Sequence, residues 1–488
     1  MTRIPFDNTY ARLPERFFTQ TRPTPVRTPR LIRLNRPLAS HLGIDPDWLA
    51  SAAAEIFSGN GIPEGAEPIS QAYAGHQFGN FVPRLGDGRA ILLGEVLDQS
   101  GIRRDVQLKG AGRTPWSRGG DGRAAIGPVL REYVVSEAMA ALGIRTTRSL
   151  AAVTTGEVVI REELLPGAVL TRVASSHIRV GTFEYFWARR DVEGLRLLAD
   201  YVIARHYPDA AQAERPYRAL LDAVIRAQAE LIASWLLIGF IHGVMNTDNM
   251  SVSGETIDYG PCAFMDEYDP NTVFSSIDRH GRYAYGNQPG IGGWNLTRFA
   301  ETLLPLLSDN VDAAVAEANE ALSAYAAAFD QAYLAGLRRK FGFFTEDAGD
   351  MELAQDFLKS MHANRADFTN TFRKLADAAT GDSWGVRTAF MDPTVYDAWE
   401  QRWKERLAQE SIDPAERRNA MRRANPAFIP RNHRVEAVIR AAIDDDDFGP
   451  FEELTTLLEK PFDDQPELAH YAQPPQDEER VLQTFCGT

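Results

Sequence analysis

The sequence predicts an α+β fold of two lobes, the first rich in β-strands and the second helical. Two apolar runs with Gly-containing turns, "FVPRLGDGRAILLGEVLD" and "RRDVQLKGAG", are typical of short strands. The next segment, "GPVLREYVVSEAMAALGI", has helical spacing, and helical periodicity dominates beyond residue 176. We therefore expect an N-terminal extension (1–70), a β-rich lobe with one helix (71–175), a helical lobe (176–384) and a C-terminal helical extension (385–488).

Composition and charge narrow the functional classes. The 488 residues are 44% hydrophobic and 24% charged, as in ordinary globular proteins. A formal net charge of −15 argues against general nucleic-acid binding, which depends on clustered Lys and Arg. No apolar run approaches the roughly 20 residues that span a bilayer, and the first residues show no apolar signal stretch. With only two cysteines, these features predict a cytoplasmic protein without a membrane partner.

The segment "LGDGR", residues 85–89, lies between two predicted strands of the first lobe. Glycines at Gly86 and Gly88 would let backbone N–H groups approach a phosphate, and Arg89 adds positive charge. The alternative is an ordinary hairpin turn, for which Asp-Gly is a common sequence. Alone, this segment is weak evidence for a nucleotide site.

Lys109, in "VQLKG", ends the next predicted strand. A protein kinase places there the lysine that contacts nucleotide phosphates and pairs with a glutamate of the following helix. Glu132 and Glu137 both lie on that helix, and the position of Glu132 in "VLREYVV" makes it the preferred partner. The alternative is a surface lysine and a surface glutamate.

The loop "GAGRTPWSRGGDGRAAIG", residues 110–127, combines six glycines with three arginines. Backbone donors beside arginines suit a polyphosphate, and Asp121 and Gly122 are candidates to position the ligand. Arg172 and Arg179 follow where the first lobe passes into the second, and we expect both to hold phosphate oxygens. The alternatives are a surface insertion for the loop and exposed positions for the two arginines.

A long amphipathic segment, "YRALLDAVIRAQAELIASWLLIGFIHG", is predicted to run as a helix directly to His242. Its apolar face carries Leu221, Val224, Ile225, Ala229, Ile232 and Leu236, with Gln228 as a polar interruption at the edge. This helix would deliver the loop that follows it to the boundary between the lobes.

That loop, "HGVMNTDNMSVSGETIDYG" (242–260), resembles the catalytic and metal-binding segments of a kinase. His242 and Asn249 keep the kinase interval, but Val244 stands where a kinase has its catalytic Asp. Asn249 and Asp258 offer the oxygen ligands that Mg²⁺ prefers. Asp248 is the candidate proton acceptor. The order of these elements is that of a bilobal protein-kinase-like fold.

The sequence is similar to the selenoprotein O family of pseudokinase-like protein adenylyltransferases. The similarity covers "SQAYAGHQFGNF", "LGDGRA", "LKGAGRTPWSRGGDGRAA", "LTRVASSHIRVGTFEYF", "HGVMNTDNMSVSG", "IDYGPCAFMDEYDP" and "TFCGT". It implies that ATP binds in reversed orientation and that AMP passes to a Ser, Thr or Tyr hydroxyl of a protein, releasing pyrophosphate. UTP in place of ATP remains open.

The same resemblance implies a role for each candidate residue. Asp248 would accept the proton, while Asn249 and Asp258 would bind Mg²⁺ or Mn²⁺, Asp258 also belonging to the nucleotide site. The position of Glu132 on the helix, not the resemblance, makes it the supporting partner of the lysine. The remaining nucleotide-binding residues would be Gly86, Gly88, Arg89, Lys109, Asp121, Gly122, Arg172 and Arg179.

Two matters stay open at this point. Some family members carry selenocysteine near the C-terminus, where this chain has Cys486, so Cys262 and Cys486 form either a regulatory disulfide or two free thiols. The function also has two alternatives: a divergent kinase that uses Asp248 as its base, and a silent pseudokinase scaffold that only binds nucleotide.

Overall fold

The computed structural model describes residues 4–485, which combine a β-sheet part with a helical part. The strands are β1 (Phe18–Gln20), β2 (Arg30–Leu34), β3 (Ile69–Gln71), β4 (Gly75–Gln77), β5 (Asn80–Val82), β6 (Ala90–Leu97), β7 (Arg103–Lys109), β8 (Ala124–Ala125), β9 (Arg148–Ile160), β10 (Leu164–Ala174), β11 (Phe240–Ile241) and β12 (Ala263–Phe264). The α-helices are α1 (Arg36–His41), α2 (Pro46–Phe57), α3 (Ile126–Ala141), α4 (Val180–Trp187), α5 (Val192–His206), α6 (Pro216–Leu237), α7 (Gln288–Leu307), α8 (Val311–Phe341), α9 (Asp350–Ala363), α10 (Phe368–Ala378), α11 (Trp384–Arg387), α12 (Pro393–Leu407), α13 (Pro414–Ala424), α14 (Asn432–Asp444) and α15 (Gly449–Leu458).

An eight-stranded antiparallel sheet has the strand order β1-β3-β6-β7-β10-β9-β2, with β8 paired to β10. Lys109 lies opposite Ala90 of β6 and Leu170 of β10 in the register. The predicted lysine therefore ends a central strand, where neighbouring strands hold its backbone on both sides.

The N-terminal segment contributes to this sheet. β2 pairs with β9, and β3 joins β1 to β6. An interval of about 50 residues separates β1 from its partner β3 along the chain, so local patterning alone gives little indication of this pairing. The boundary predicted at residue 70 stays a prediction.

The segment 85–89 is not an ordinary hairpin turn, which was the alternative to a phosphate-binding segment. β5 pairs with β4, whereas β6 pairs with β3 and β7, so "LGDGR" joins two different sheets. Its backbone is held by the chain at and just after the end of β3. The N–H groups of Leu85 and Gly86 donate to Tyr73 O, and that of Asp87 donates to Gln71 O. This anchorage places the segment next to the end of β7.

Both faces of the large sheet are covered. On one face, α1 and α2 contribute Leu38, Leu49 and Phe57 to an apolar cluster. On the other, α3 packs with α14 and α15, and the rings of Tyr133 and Phe451 meet edge to face at 5.4 Å. The C-terminal helices thus hold the helix that carries Glu132 against the sheet.

Helix α6 buries the predicted apolar face but ends at Leu237, before His242. Gly239 has φ +73°, a conformation that favours glycine and stops the helix, and β11 intervenes before the loop. The polar residue Gln228 is buried and donates from Nε2 to Ser251 O at 2.6 Å. The helix therefore anchors the loop from its side as well as from its end.

None of the helices within residues 4–485 has the combination of length and apolar character that a bilayer crossing requires.

Candidate active site

A cavity of about 840 Å³ opens between the ends of β6, β7 and β10 and the loop that follows β11. Every residue that the sequence suggested for nucleotide or metal binding lines it: Gly86, Gly88, Arg89, Lys109, Asp121, Gly122, Arg172, Arg179, Asp248, Asn249 and Asp258. Glu132 lies behind this lining, in contact with Lys109. Residues distant in the chain are thus gathered around one space.

Lys109 and Glu132 form a buried ion pair, with Lys109 Nζ 2.5 Å from Glu132 Oε2. Burial opposes ionisation of Glu132, but the charges of Arg172 and Lys109 outweigh it and lower the pKa of this carboxyl. The alternative partner, Glu137, accepts from Arg148 Nε at 2.9 Å instead. Glu132 is therefore the partner that the geometry selects.

Asp258 extends this ion pair toward the cavity. Its Oδ1 accepts from Lys109 Nζ at 2.8 Å and from Arg172 Nη2 at 2.9 Å. Loss of solvent opposes ionisation, but Lys109 and Arg172 hold the pKa of Asp258 well below its usual range. Its backbone has φ +65°, a strained conformation for a residue with a side chain, costing about 1–3 kcal/mol. Such strain is typical of functional sites.

The two arginines have different surroundings. Arg172, 2% exposed, donates to Glu132 Oε1 at 2.7 Å and also to Asp258, so protein groups already hold it. Arg179 lies with its guanidinium carbon 4.3 Å from the Tyr73 ring centroid and makes only a long contact, 3.4 Å, with Asp87. Among the described residues, nothing accepts from its buried Nε. Arg179 is the arginine with donors left for a ligand.

His242 connects the two functional loops. Its Nε2–H donates to Ile257 O at 2.9 Å, directly before Asp258, while Nδ1 accepts from the Val244 N–H at 3.3 Å. Burial lowers the pKa of His242, which keeps the ring neutral, as this pattern requires. His242 is a structural link between the loops.

Asp248 lies in the 3₁₀ turn Thr247–Asn249 and is 8% exposed. Gln77 Nε2 donates to its Oδ2 at 3.2 Å. Within the described part of the chain, no donor reaches its buried Oδ1. Burial raises the pKa of Asp248 to about 6, against the lowering effects of the Gln77 hydrogen bond and the Arg179 charge. One oxygen is thus oriented by Gln77, and the other is enclosed beside Gly75 without a donor among the described residues.

Asn249 and Asp258 suit a divalent cation. Asn249 donates from Nδ2 to Val244 O at 3.0 Å, which orients the amide and leaves Oδ1 as its oxygen donor. Hydrogen bonds from the described residues reach only Oδ1 of Asp258. Mg²⁺ takes hard oxygen ligands and typically completes its shell with phosphates and water. One amide and one carboxylate oxygen fit this requirement.

The glycines of the cavity meet local packing demands. A Cβ on Gly86 would lie 2.3 Å from Trp116 Cδ2, and one on Gly122 would lie 2.1 Å from Gly112 O. Both have φ +70°. Asp121 is exposed, and its carboxylate pairs with Arg161 at 2.9 Å. The close contact of Gly86 with Trp116 and of Gly122 with Gly112 therefore explains why glycine is needed at both positions, without a ligand.

Comparison with known proteins assigns the family. The family model described as "Protein adenylyltransferase SelO" matches residues 1–459. The chain belongs to the SelO family.

Curated relatives agree with this assignment over their whole length. The chain is 67% identical over 487 residues to a protein nucleotidyltransferase YdiU of Bradyrhizobium sp. (strain ORS 278). It is 66% identical over 488 residues to the protein of that name from Rhodopseudomonas palustris (strain BisB5). Each alignment covers 99% of both chains. The protein is accordingly an enzyme, a protein adenylyltransferase of the nucleotidyltransferase class.

Sequence reasoning missed several side chains of this SelO-family site. Tyr73, Gln77, Asp87, Trp116 and Asn246 all line the cavity. Gln77 holds Asp248, and Asp87 and Tyr73 contact Arg179. A signal was present, since "SQAYAGHQFGNF" was among the segments shared with the family, but an isolated glutamine or tyrosine indicates no specific chemistry. Their roles emerge only from contacts across the cavity.

Cys262 is buried, and burial raises the pKa of its thiol to about 12. Cys486 lies outside the described residues, so the disulfide between them stays a hypothesis. Thr484, two residues before Cys486, does contact the residue that precedes Cys262: its Oγ1 donates to Pro261 O at 2.6 Å.

Gly75→Ala is expected to lower kcat about 100-fold, because a misplacement of about 1 Å in a catalytic group can cost that much. The added Cβ would lie 2.5 Å from Asp248 Oδ1 and 2.9 Å from its Cβ, so the carboxylate must shift. Steady-state kinetics of AMP transfer to lysate protein, with ATP binding by calorimetry, check this expectation. Gly385→Ala is the matched control, because its Cβ would meet only Lys374 at ordinary contact distance, 3.5 Å. Equal kcat in both variants would contradict the placement of Asp248.

Proposed function

We propose that this protein transfers AMP from ATP to Ser, Thr or Tyr hydroxyls of other proteins, releasing pyrophosphate with the help of Mg²⁺ or Mn²⁺. We further propose that residues 71–175 and 176–384 correspond to the two lobes of a kinase-like fold, with extensions at 1–70, which adds strands to the sheet, and at 385–488. The family supports nucleotide transfer in general. The acceptor, the metal and the residue roles are the proposed refinements.

The unpaired Oδ1 of Asp248 is the observation that carries the proposal. A buried carboxylate oxygen without a donor is costly unless a ligand completes it. Asp248 itself lines the cavity, together with Lys109 and Arg179. A turn of the carboxylate toward the cavity would let an acceptor hydroxyl donate to Oδ1, and this hydroxyl would then stand ready to lose its proton.

Lys109 and Arg179 are proposed to hold the phosphates. An ammonium group has three N–H donors, and Glu132 and Asp258 accept two of those on Lys109. The third remains for a phosphate oxygen. Among the described residues nothing accepts from Arg179 Nε, and its fork-shaped guanidinium is suited to phosphate. Arg172 is proposed to act mainly by holding Asp258 and Glu132 in place, because protein groups already occupy its donors.

Asn249 Oδ1 and the free oxygen of Asp258 are proposed to hold the metal. When bound there, a divalent cation would neutralise charge developing on the leaving pyrophosphate. The strained backbone of Asp258 and its two cationic neighbours fix the carboxylate before any ligand arrives. This preorganisation reduces the reorganisation needed during the reaction.

The proposed step forms one phosphorus–oxygen bond, breaks another and moves one proton. The acceptor oxygen attacks the α-phosphorus of ATP while its proton passes to Asp248 Oδ1. The bond from the α-phosphorus to the oxygen that bridges it to the β-phosphorus breaks, and pyrophosphate leaves with that electron pair. The kinase alternative would instead break the bond to the γ-phosphorus, and UTP in place of ATP would give UMP transfer by the same step.

The co-product distinguishes these reactions. Purified protein with ATP, Mg²⁺ or Mn²⁺ and a cell lysate fraction as acceptor should release pyrophosphate in proportion to modified protein, as measured by chromatography. Chelation of the metal should stop both. ADP as the stoichiometric co-product would refute adenylyl transfer in favour of phosphotransfer, and nucleotide binding without any product would favour the scaffold.

A further inference from the structure

A second groove of about 670 Å³ adjoins the active-site cavity. Phe78 and Ile277 line both spaces, so they form the passage from one to the other. Phe78 N–H donates to Asn246 Oδ1 at 3.0 Å, and Tyr283 O–H donates to the same oxygen at 2.6 Å. The wall of this groove is thus tied to the loop that carries Asp248.

The groove is positively charged within an acidic protein. Arg279, His280 and Arg282 line it, and the first two are exposed. Within residues 4–485, no carboxylate forms an ion pair with Arg279 or Arg282. The one acidic lining residue, Asp278, is buried, and its oxygens accept from the backbone N–H groups of Arg282 and Tyr283.

Arg282 is held in a defined position. Its guanidinium carbon lies 4.8 Å from the Trp294 ring centroid and 3.7 Å from a Cβ position on Gly79, in the turn of the β4–β5 hairpin. Its buried Nε has no acceptor among the described residues. A guanidinium held beside a ring and a turn, without a carboxylate partner among the described residues, is suited to bind an incoming anionic group.

We infer that this groove binds the acceptor protein and selects a segment with acidic side chains beside the hydroxyl that is modified. The inference rests on the proposed function, because the passage at Phe78 and Ile277 would lead the hydroxyl to Asp248. Ile277, 50% exposed, supplies apolar contact next to the cations. The acceptor would thus be recognised by charge outside the cavity and by its hydroxyl inside.

Two sets of fluorescent synthetic peptides test this inference. Each peptide carries one Ser, Thr or Tyr, flanked in one set by Glu and in the other by Lys. Binding is followed by anisotropy, and AMP transfer is measured in parallel. We expect the Glu set to bind about fivefold or more tightly than the Lys set, corresponding to about 1 kcal/mol from exposed charge pairs. The difference should shrink at high salt.

Arg279→Glu should abolish or reverse this preference without lowering ATP affinity, since Arg279 is exposed and lies outside the cavity lining. Arg440→Glu makes the same charge change on an exposed face of α14 and should leave the preference intact. Equal binding of both sets, or an unchanged preference in Arg279→Glu, would overturn the inference. Tighter binding of a labelled single-stranded oligonucleotide, lost in Arg279→Glu, would overturn it in favour of nucleic acid.

Different results would refute the inference and the proposed function. Absence of AMP transfer to every peptide and to lysate protein would refute the proposed function, while anisotropy would still report whether acidic peptides prefer the groove. AMP transfer that ignores flanking charge would refute only the groove.

Discussion

Asp258→Asn is expected to abolish AMP transfer, with kcat/KM lowered at least about 100-fold, the loss typical when transition-state charge stabilisation is removed. The amide preserves shape but removes the charge that a metal requires and that Lys109 and Arg172 balance. Steady-state transfer assays at saturating Mg²⁺ or Mn²⁺ measure the effect. Asn is chosen over Ala because truncation would also leave two buried cations with Glu132 as their only shared acceptor among the described residues.

A matched control separates chemistry from stability. Asp350 also lies between two cations, Arg338 and Arg406, each at 2.8 Å, but it is more deeply buried than Asp258 and does not line the cavity. Asp350→Asn should lower thermal stability and leave kcat/KM close to wild type. Loss of transfer in both variants to the same extent would show that stability alone explains the effect and would contradict the role of Asp258.

Asp248→Asn is expected to lower kcat by about 10² to 10⁴, the usual contribution of a general base. The amide can still accept from Gln77, so the local geometry should persist. It cannot accept a proton at neutral pH, so the acceptor hydroxyl loses its base. Calorimetry should show unchanged ATP affinity, which separates this variant from one that damages the nucleotide site.

The Asp248 prediction has a clear contrary outcome. Wild-type kcat in Asp248→Asn would exclude it as proton acceptor and would leave its unpaired oxygen unexplained. Gln77→Ala provides a graded comparison, because it removes one hydrogen bond to Oδ2 and leaves the carboxylate itself. Its loss of kcat should be smaller than that of Asp248→Asn.

Elements with strong local periodicity could be predicted from the sequence. The helix bearing Glu132 and the long helix before His242 show regular apolar spacing, and the structure has α3 and α6 at these places. Kinase-like intervals around Lys109 and Asn249 pointed to residues that prove to line one cavity. Local patterns succeed here because backbone periodicity and motif spacing are properties of short segments.

Features that depend on contacts between residues far apart in the chain could not be predicted from the sequence. The pairing of β1 with β3 and of β2 with β9 depends on residues far apart in the chain, so local patterning gave no indication of it. The position of the β4–β5 hairpin over Asp248, and with it the role of Gln77, follows only from tertiary packing. The strained backbone at Asp258 also has no sequence signal, since only the surrounding structure imposes it.

The end of α6 at Leu237 also could not be predicted from the sequence pattern. The apolar spacing continues to Phe240 and Ile241, so periodicity extended the helix to His242. Gly239 permits the left-handed turn that ends it, and β11 then pairs with β12. An apolar run cannot by itself separate the end of a buried helix from a short buried strand.

The most direct test of the account follows the label from ATP to protein. Two ATP samples, labelled at the α- or the γ-phosphate, are incubated with the purified protein, Mg²⁺ or Mn²⁺ and a cell lysate, with Asp258→Asn alongside. The account predicts covalent label from the α position only, and none with the variant. Label from the γ position only would contradict it and would make the enzyme a kinase with a relocated base.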